Sequence, residues 1–415
     1  MDRAGDFDFL KRSFTKLMLN FSWWVNRKDR SGRNLFEGGF LGLDNIGVFD
    51  RSSPLPTGGY LEQADGTAWV SLFSQNMLEI AVELATHDST YEDMAIKYAE
   101  HFLWIAHAMN EVGPAGMWDE EDGFYYDVLR LPDGGSHRLK VRSMVGLLPI
   151  CATTVIEPWQ RERVPRVAKT LEQLVKRRPE LLNSVHITGP GHRGYADRGI
   201  IALVNQDRLR RILSRMLDEN EFLSPYGIRA LSRFHNDSPF VVNVEGQEYR
   251  VNYLPAESDT GMFGGNSNWR GPIWMPVNAL LIRALLQYYS YYGDSFQIEC
   301  PTGSGKMMNL FQVAREIGSR LEQIFLRDKW GRRPVYGGTE KFQTDPNWKD
   351  YLLFFEYFHG DNGAGLGASH QTGWTGLIAK MIEMFGRLEE REFLEGGREA
   401  AFAKPASSEK QPSAA

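Results

Sequence analysis

Two kinds of segment alternate along this chain, and that alternation restricts its fold more than any other feature. The first kind keeps an apolar stripe at helical spacing. Trp69, Leu72, Phe73, Met77, Ile80, Ala81 and Leu84 recur three and four residues apart, as one buried face of a helix requires. Met94, Tyr98, Phe102, Ile105 and Met109 continue the pattern in a second helix, for which Ser89 or Thr90 supplies a cap. Further stripes run through Val164, Val167, Leu171 and Leu174, through Leu209, Ile212, Leu213 and Met216, and through Leu310, Val313, Ile317, Leu321 and Ile324. Two more helices are predicted over about 276–289 and 372–385, the second closed by Gly386 as a C-terminal glycine.

The second kind of segment is a long loop: roughly 27–65, 112–140, 219–269 and 327–365, each rich in Gly, Asp, Asn, Tyr and Trp. Loops of that length in a compact domain are functional or disordered, and this aromatic content argues against disorder. Only FVVNVEGQEYRVNY, Phe240 to Tyr253, reads as strands, a hairpin around Glu245 and Gly246. No repeat period of 34 or 40 residues is visible, which argues against a solenoid. Paired helices joined alternately by short and long connections predict an all-α fold. They form a closed helical barrel with its loops gathered at one end and one small β-hairpin. The predicted boundaries are a single domain over 1–402 and a disordered Ser-, Pro- and Ala-rich tail over 403–415.

Composition narrows the chemistry. The 47 Lys and Arg against 53 Asp and Glu leave a net charge of −6, which offers no basic face to nucleic acid and favours a neutral partner. Two cysteines, Cys151 and Cys300, make neither a cysteine-based zinc site nor a disulfide framework. The start lacks a signal peptide's charge pattern and no apolar run is long enough for a bilayer; no membrane partner is expected, and the cytoplasm is the default location. PTGSGKMMN, Pro301 to Asn309, resembles a phosphate loop but departs from that motif at Cys300 and Met307. No metalloprotease or serine-hydrolase motif occurs, the nine histidines show no metal-ligand spacing, and no metal or cofactor is expected. Carboxylate chemistry remains.

Asp44 stands among Gly42, Leu43, Ile46 and Gly47; a carboxyl group so poorly solvated has a raised pKa and suits a general acid. An Asx turn with Asn45 is the competing reading, and Asp50 and Arg51 read as an ion pair or a hydroxyl clamp. In GGYLEQADGTAW, Gly58 to Trp69, Asp65 and Thr67 read as helix caps, Glu62 and Gln63 as partners for sugar hydroxyls, and Tyr60 and Trp69 as apolar faces. Phe40 and Trp118 join the same candidate surface; the loop around Trp118, GMWDEEDGFYYDV, reads as a hairpin without calcium-loop spacing. In the run from Glu257 to Leu281, Asn266, Asn268, Trp269, Arg270, Gly271 and Trp274 combine indole faces with amide and guanidinium donors, as a carbohydrate subsite needs. Glu356 lies among Phe354, Phe355, Tyr357 and Phe358, before a glycine-rich run from Gly360 to Gly367 and then His370 and Trp374. Asp44 and Glu356 together read as an acid and a base that hydrolyse a glycoside. Glu340 and Glu257 are reserve candidates for the base, and a plain ion pair with Arg270 is the competing role for Glu356.

Three segments in this order, LGLDNIGVFDRS from Leu41, NWRGPIWMPVN from Asn268 and FFEYFHGDNGAGLG from Phe354, resemble family 63 glycoside hydrolases, the group of processing α-glucosidases and mannosylglycerate-hydrolase-like domains. The resemblance runs from about residue 36 to 385. It implies an (α/α)6 barrel and an inverting mechanism, with the family's acid matching Asp44 and its base matching Glu356. This chain departs from the processing glucosidases where they carry a second Asp followed by Tyr-Pro-Arg; here Asn45, Ile46 and Gly47 follow Asp44. Larger members also carry an N-terminal β-rich domain. The expected activity is exo-acting hydrolysis of an α-linked glucoside or mannoside, either an oligosaccharide or a compound like glucosylglycerate or mannosylglycerate. The alternatives are a sugar isomerase or epimerase using His359 and His370, and an inactive glycan-binding protein.

Overall fold

The computed structural model describes residues 5–26, 32–37, 39, 41–111, 113, 115–182, 186–187, 193–262, 267–397 and 400. Phe40, Asn266 and the predicted tail over 403–415 lie outside them. Among the described residues the helices are α1 (Phe7–Val25), α2 (Ala64–Ala85), α3 (Glu92–Met109), α4 (Pro158–Arg163), α5 (Pro165–Arg177), α6 (Gln206–Met216), α7 (Met275–Tyr292), α8 (Leu310–Gln323), α9 (Glu340–Thr344), α10 (Thr372–Thr375), α11 (Leu377–Arg387) and α12 (Glu390–Gly396). Every apolar stripe read from the sequence falls on one of them, save that Val164 and Ile324 are the residues flanking α5 and α8. α1 was not foreseen; it starts where the Asp6 side chain accepts a hydrogen bond from the Phe9 amide, 2.8 Å. α3 is preceded by a short turn capped by Asp88, whose carboxylate takes the Thr90 amide at 3.1 Å, so neither Ser89 nor Thr90 is the cap. The last predicted helix breaks at Gly376 into α10 and α11, and α11 runs through Gly386 to Arg387.

The chain is helix-rich, but the expectation of a single hairpin is corrected. The hairpin is present, pairing Phe240–Val244 with Gln247–Val251, and Glu245 (φ 50°) and Gly246 (φ 85°) form its tight turn. Six further small antiparallel sheets accompany it among the described residues. Most are two or three residues long, too short to show the alternation by which strands are read from sequence. The segment over 118–125 is a hairpin as predicted. The loop that resembled a phosphate site joins strands Gln297–Glu299 and Met307–Asn309, and its Gly303 amide donates 2.8 Å to Glu299 of the same turn.

α2 packs against α1 and α3, α5 covers α3, and α7 packs against α8 and α11. Phe14, Phe21, Met77, Tyr98 and Val167 fill the space among α1, α2, α3 and α5. The main core is larger and continuous, including Phe102, Phe124, Phe222, Leu281, Tyr288, Phe311 and Phe385. Arg51 joins the first long loop to this frame. Its guanidinium is buried between Asp65 (2.6 Å) and Asp127 (2.5 Å); burial opposes its charge, but the two carboxylates outweigh that and raise its pKa. The predicted Asp50–Arg51 pair does not form, since Asp50 accepts instead from the Ser52 amide at 2.8 Å. Asp65 and Thr67 are not caps either: both lie inside α2, where Thr67 donates to the Gln63 carbonyl (2.7 Å) and accepts from the Phe36 amide (3.0 Å).

Candidate active site

Three segments far apart in sequence are sewn together at the entrance of α7. The first carries Asp44 and Asn45. Asn45 is fully buried; its amide nitrogen donates to Asn268 Oδ1 (3.0 Å) and Ser258 Oγ (3.1 Å), and its oxygen accepts the Trp269 amide at 2.7 Å. The second segment, 267–274, pairs with the third through Ile273 and Phe358, whose backbones exchange hydrogen bonds of 2.8 and 3.0 Å. Gly360 also donates to the Pro255 carbonyl, 2.8 Å. A Cβ on Gly360 would lie 2.5 Å from the Gly271 carbonyl oxygen, so only glycine permits this crossing.

Arg270 holds the crossing from inside. It is buried, and its three guanidinium nitrogens donate to backbone carbonyls of Asn45 (2.6 Å), Gly47 (2.9 Å) and Arg250 (3.3 Å). Burial pulls its pKa down to about 10, with Asp259 acting in the opposite sense. Arg270 is therefore neither a sugar ligand nor the partner of Glu356, because two of its nitrogens are committed to the loop beside Asp44 and the third to the strand at Arg250.

Aromatic rings form the wall. Trp269 and Trp274 stack face to face at 3.7 Å and 4°, and Tyr357 continues the stack on Trp274 at 4.7 Å and 21°; each such pair contributes about 0.5–1.5 kcal/mol beyond its burial. Trp374, 38 % exposed, meets Trp274 edge-on at 5.4 Å. The two indoles and Tyr357 are buried, and only Trp374 brings this aromatic group to the surface.

Asp44 is half-buried and accepts a hydrogen bond from the Ser267 hydroxyl. Its neighbours Leu43 and Ile46 are buried in the main core. Glu356 is also half-buried. Its backbone pairs with Ala368 (3.0 Å), and its Oε2 accepts the Ala368 amide at 3.2 Å. Gly367, at φ +70°, makes room for it, since a Cβ there would lie 2.8 Å from Glu356 Oε2 and 2.7 Å from Tyr357 Cε1. Among the described residues neither Asp44 nor Glu356 forms an ion pair. The Tyr357 phenol links them: burial first, then the charges of Glu257, Glu356 and Asp44, push its pKa up to about 12. All three carboxylates therefore act on one phenol.

Other predicted site residues are committed elsewhere. Glu62 is wholly buried and held by Arg130 (2.6 Å) and Arg33, which leaves no carboxylate oxygen for a sugar. Gln63 is buried and clamps both backbone groups of Gly39 (3.0 and 2.8 Å). Asn268 is buried, donating to the Leu254 and Ala256 carbonyls (2.8 and 2.7 Å). Trp118 is buried, bonded to Glu120 (2.6 Å), with Arg208 over its ring at 4.5 Å. Tyr60 and Trp69 are half-buried. Glu340 lies on the surface paired with Arg332 at 2.9 Å, which removes it as the reserve base. His370 is exposed and stacks on Phe354, while His359 accepts the Asp361 amide at 3.1 Å. Sequence reasoning missed Ser267 and Ser258, two serines in a polar run with no local signal to distinguish them. Among the described residues no group of three His, Cys, Asp or Glu is arranged to hold a metal ion. No described helix is long and apolar enough to cross a membrane.

Residues 6–302 match the description of the glycosyl hydrolase family 63 C-terminal domain. The chain belongs to glycosyl hydrolase family 63. The matched range includes Asp44 and the tryptophan stack and ends before Glu356. An uncharacterized protein of Saccharomyces cerevisiae is 51% identical over 403 residues, covering 93% of this chain and 37% of that protein. The chain thus spans little more than a third of that relative's length. The mannosyl-oligosaccharide glucosidase of the same yeast is 22% identical over 200 residues, covering 47% of this chain and 18% of the glucosidase. Among solved structures, the family 63 mannosylglycerate hydrolase of Thermus thermophilus in complex with glucose aligns at a TM-score of 0.47 and 14% identity, over 91% of this chain and 69% of that one.

Proposed function

We propose that this family 63 chain is an inverting, exo-acting glycoside hydrolase for an α-linked glucoside or mannoside, working on an (α/α)6 ring of helices. Asp44 is the general acid and Glu356 the general base. In that chemistry one carboxylic acid protonates the departing glycosidic oxygen. The other carboxylate takes a proton from water attacking the opposite face, at a carboxyl separation of about 6.5–9.5 Å. The observation that carries the assignment is that the segments bearing Asp44 and Glu356 are both hydrogen-bonded to segment 267–274, Asn45 to Trp269 at 2.7 Å and Phe358 to Ile273 at 2.8 and 3.0 Å. The freedom of both carboxylates from ion pairs among the described residues supports it, because a carboxylate tied to a guanidinium is a poor proton carrier. Family membership and the glucosidase named among the relatives support the substrate class. The histidines an isomerase would need are engaged in a backbone hydrogen bond and a surface stack, which favours hydrolysis.

Asp44→Asn and Glu356→Gln, checked for native circular dichroism, test the assignment on a panel of α-glucosides and α-mannosides. Each is expected to lose on the order of 1000-fold in kcat, as for a removed acid or base. Wild-type rates in either variant would remove that residue from the mechanism.

A further inference from the structure

We propose that Glu257 is a specificity-determining residue that reserves this site for uncharged glycosides by repelling substrates whose leaving group is an anion. The inference rests on the hydrolase reading above and adds a residue and a substrate property to it. Its basis is the way the backbone on both sides of Glu257 is fixed. The carbonyl of Ala256 accepts from Asn268 Nδ2 at 2.7 Å. The hydroxyl of Ser258 accepts from Asn45 Nδ2 at 3.1 Å. Asn45 adjoins Asp44, and Asn268 adjoins Ser267, which donates to Asp44. One residue earlier, Pro255 takes the Gly360 amide at 2.8 Å. Glu257 is thus held between the Asp44 loop and the Glu356 loop, on backbone tied to both.

Its own side chain is exposed, and among the described residues it forms no hydrogen bond or ion pair. It is therefore free to face a ligand. Its charge also bears on the Tyr357 phenol within the site, as that of Glu356 does. The guanidinium beside this loop does not reach a ligand, because the three nitrogens of Arg270 are committed to backbone carbonyls. A neutral sugar meets only hydrogen-bonding oxygens here. A carboxylate or phosphate on the leaving group adds a further negative charge beside Glu257 and the ionised base Glu356, and like-charge juxtaposition is a strong means of exclusion.

The test compares two α-glucosides of nearly equal shape, α-glucosylglycerol and α-glucosylglycerate, which differ by one carboxylate. Hydrolysis by the wild-type chain and the Glu257→Gln and Glu257→Lys variants is followed at low and high salt. The neutral substrate is expected to lead in kcat/KM by on the order of tenfold or more at low salt, with the margin narrowing as salt screens these charges. Glu257→Gln should narrow the margin through a lower KM for the anionic substrate, and Glu257→Lys should narrow it further. Equal or better use of the anionic substrate by the wild type, or a margin indifferent to both variants, would overturn the proposal while leaving the hydrolase reading intact. Failure to hydrolyse any glycoside would instead overturn the hydrolase reading, and this proposal with it.

Discussion

Asn45 is where the account of the site is most exposed to a stability measurement. Its side chain is fully buried and serves three groups at once: it accepts from the Trp269 amide at 2.7 Å and donates to Asn268 and Ser258 at 3.0 and 3.1 Å. In Asn45→Ala the two acceptors keep other partners, because Asn268 Oδ1 also takes the Arg270 amide (3.0 Å) and Ser258 Oγ the Thr260 amide (3.1 Å). Those two losses cost about 0.5–1.5 kcal/mol each, whereas the orphaned, buried Trp269 amide costs about 1–3 kcal/mol. The expected total is roughly 2–6 kcal/mol, read as a lower urea midpoint at unchanged m-value. Asn45→Asp adds a sign. The new carboxylate still accepts from Trp269 but sets an oxygen against Asn268 Oδ1 in a buried place, so its folded pKa rises above the usual value of about 3.9. Its penalty should be smallest below that value and grow as pH rises through the folded pKa. A cost under about 0.5 kcal/mol for Asn45→Ala would refute the claim that this amide ties the Asp44 loop to the tryptophan stack.

Other perturbations isolate single parts. Gly367→Ala places a methyl group against Glu356 Oε2 and Tyr357 Cε1 at a positive φ, a strain of about 1–3 kcal/mol. It should lower kcat on the order of 100-fold with KM nearly unchanged, and a wild-type kcat would show that the position of Glu356 does not matter. Arg51→Met leaves Asp65 and Asp127 buried without their cation; a destabilisation of about 3–5 kcal/mol in urea is expected, and one below about 1 kcal/mol would contradict the anchoring role. His235 is buried and neutral, its Nε2 accepting from the Arg142 amide and its Nδ1 donating to Ser238, both at 2.9 Å. Burial lowers its pKa from 6.5, with Arg142 adding to that and the Ser238 contact opposing it. Its contribution to stability is therefore present above pH 6.5 and lost as pH falls through the lower folded value. Thermal melts from about pH 8 to about pH 5 should show that loss, and His235→Gln should flatten it.

Sequence and structure agree where a signal is periodic and diverge where it depends on partners. The stripes from Trp69 to Ile324 became helices because three- and four-residue spacing is a local property of the chain. Glu62, Gln63, Asn268 and Arg270 have the functional groups of a sugar site, and residue type alone favoured that use. Their actual partners, Arg130, Gly39, Leu254 and the carbonyls of Asn45 and Gly47, lie up to 225 residues away, and no local pattern announces them. Gly360 illustrates the intermediate case: its glycine-rich run suggested close backbone approach, but only the fold identifies Gly271 as the neighbour. Tyr357 was legible as an aromatic beside Glu356, whereas the influence of Asp44 and Glu257 upon it was not.

The central claim is that Asp44 and Glu356 act as acid and base on opposite faces of an α-linked sugar. Proton NMR during the first minutes of hydrolysis of an α-glycoside tests it most directly, with the Asp44→Asn and Glu356→Gln variants run beside the native chain. The β-anomer of the released sugar is expected to appear first and to mutarotate afterwards, and neither variant is expected to release sugar at a comparable rate. First appearance of the α-anomer, or undiminished release by either variant, would contradict it.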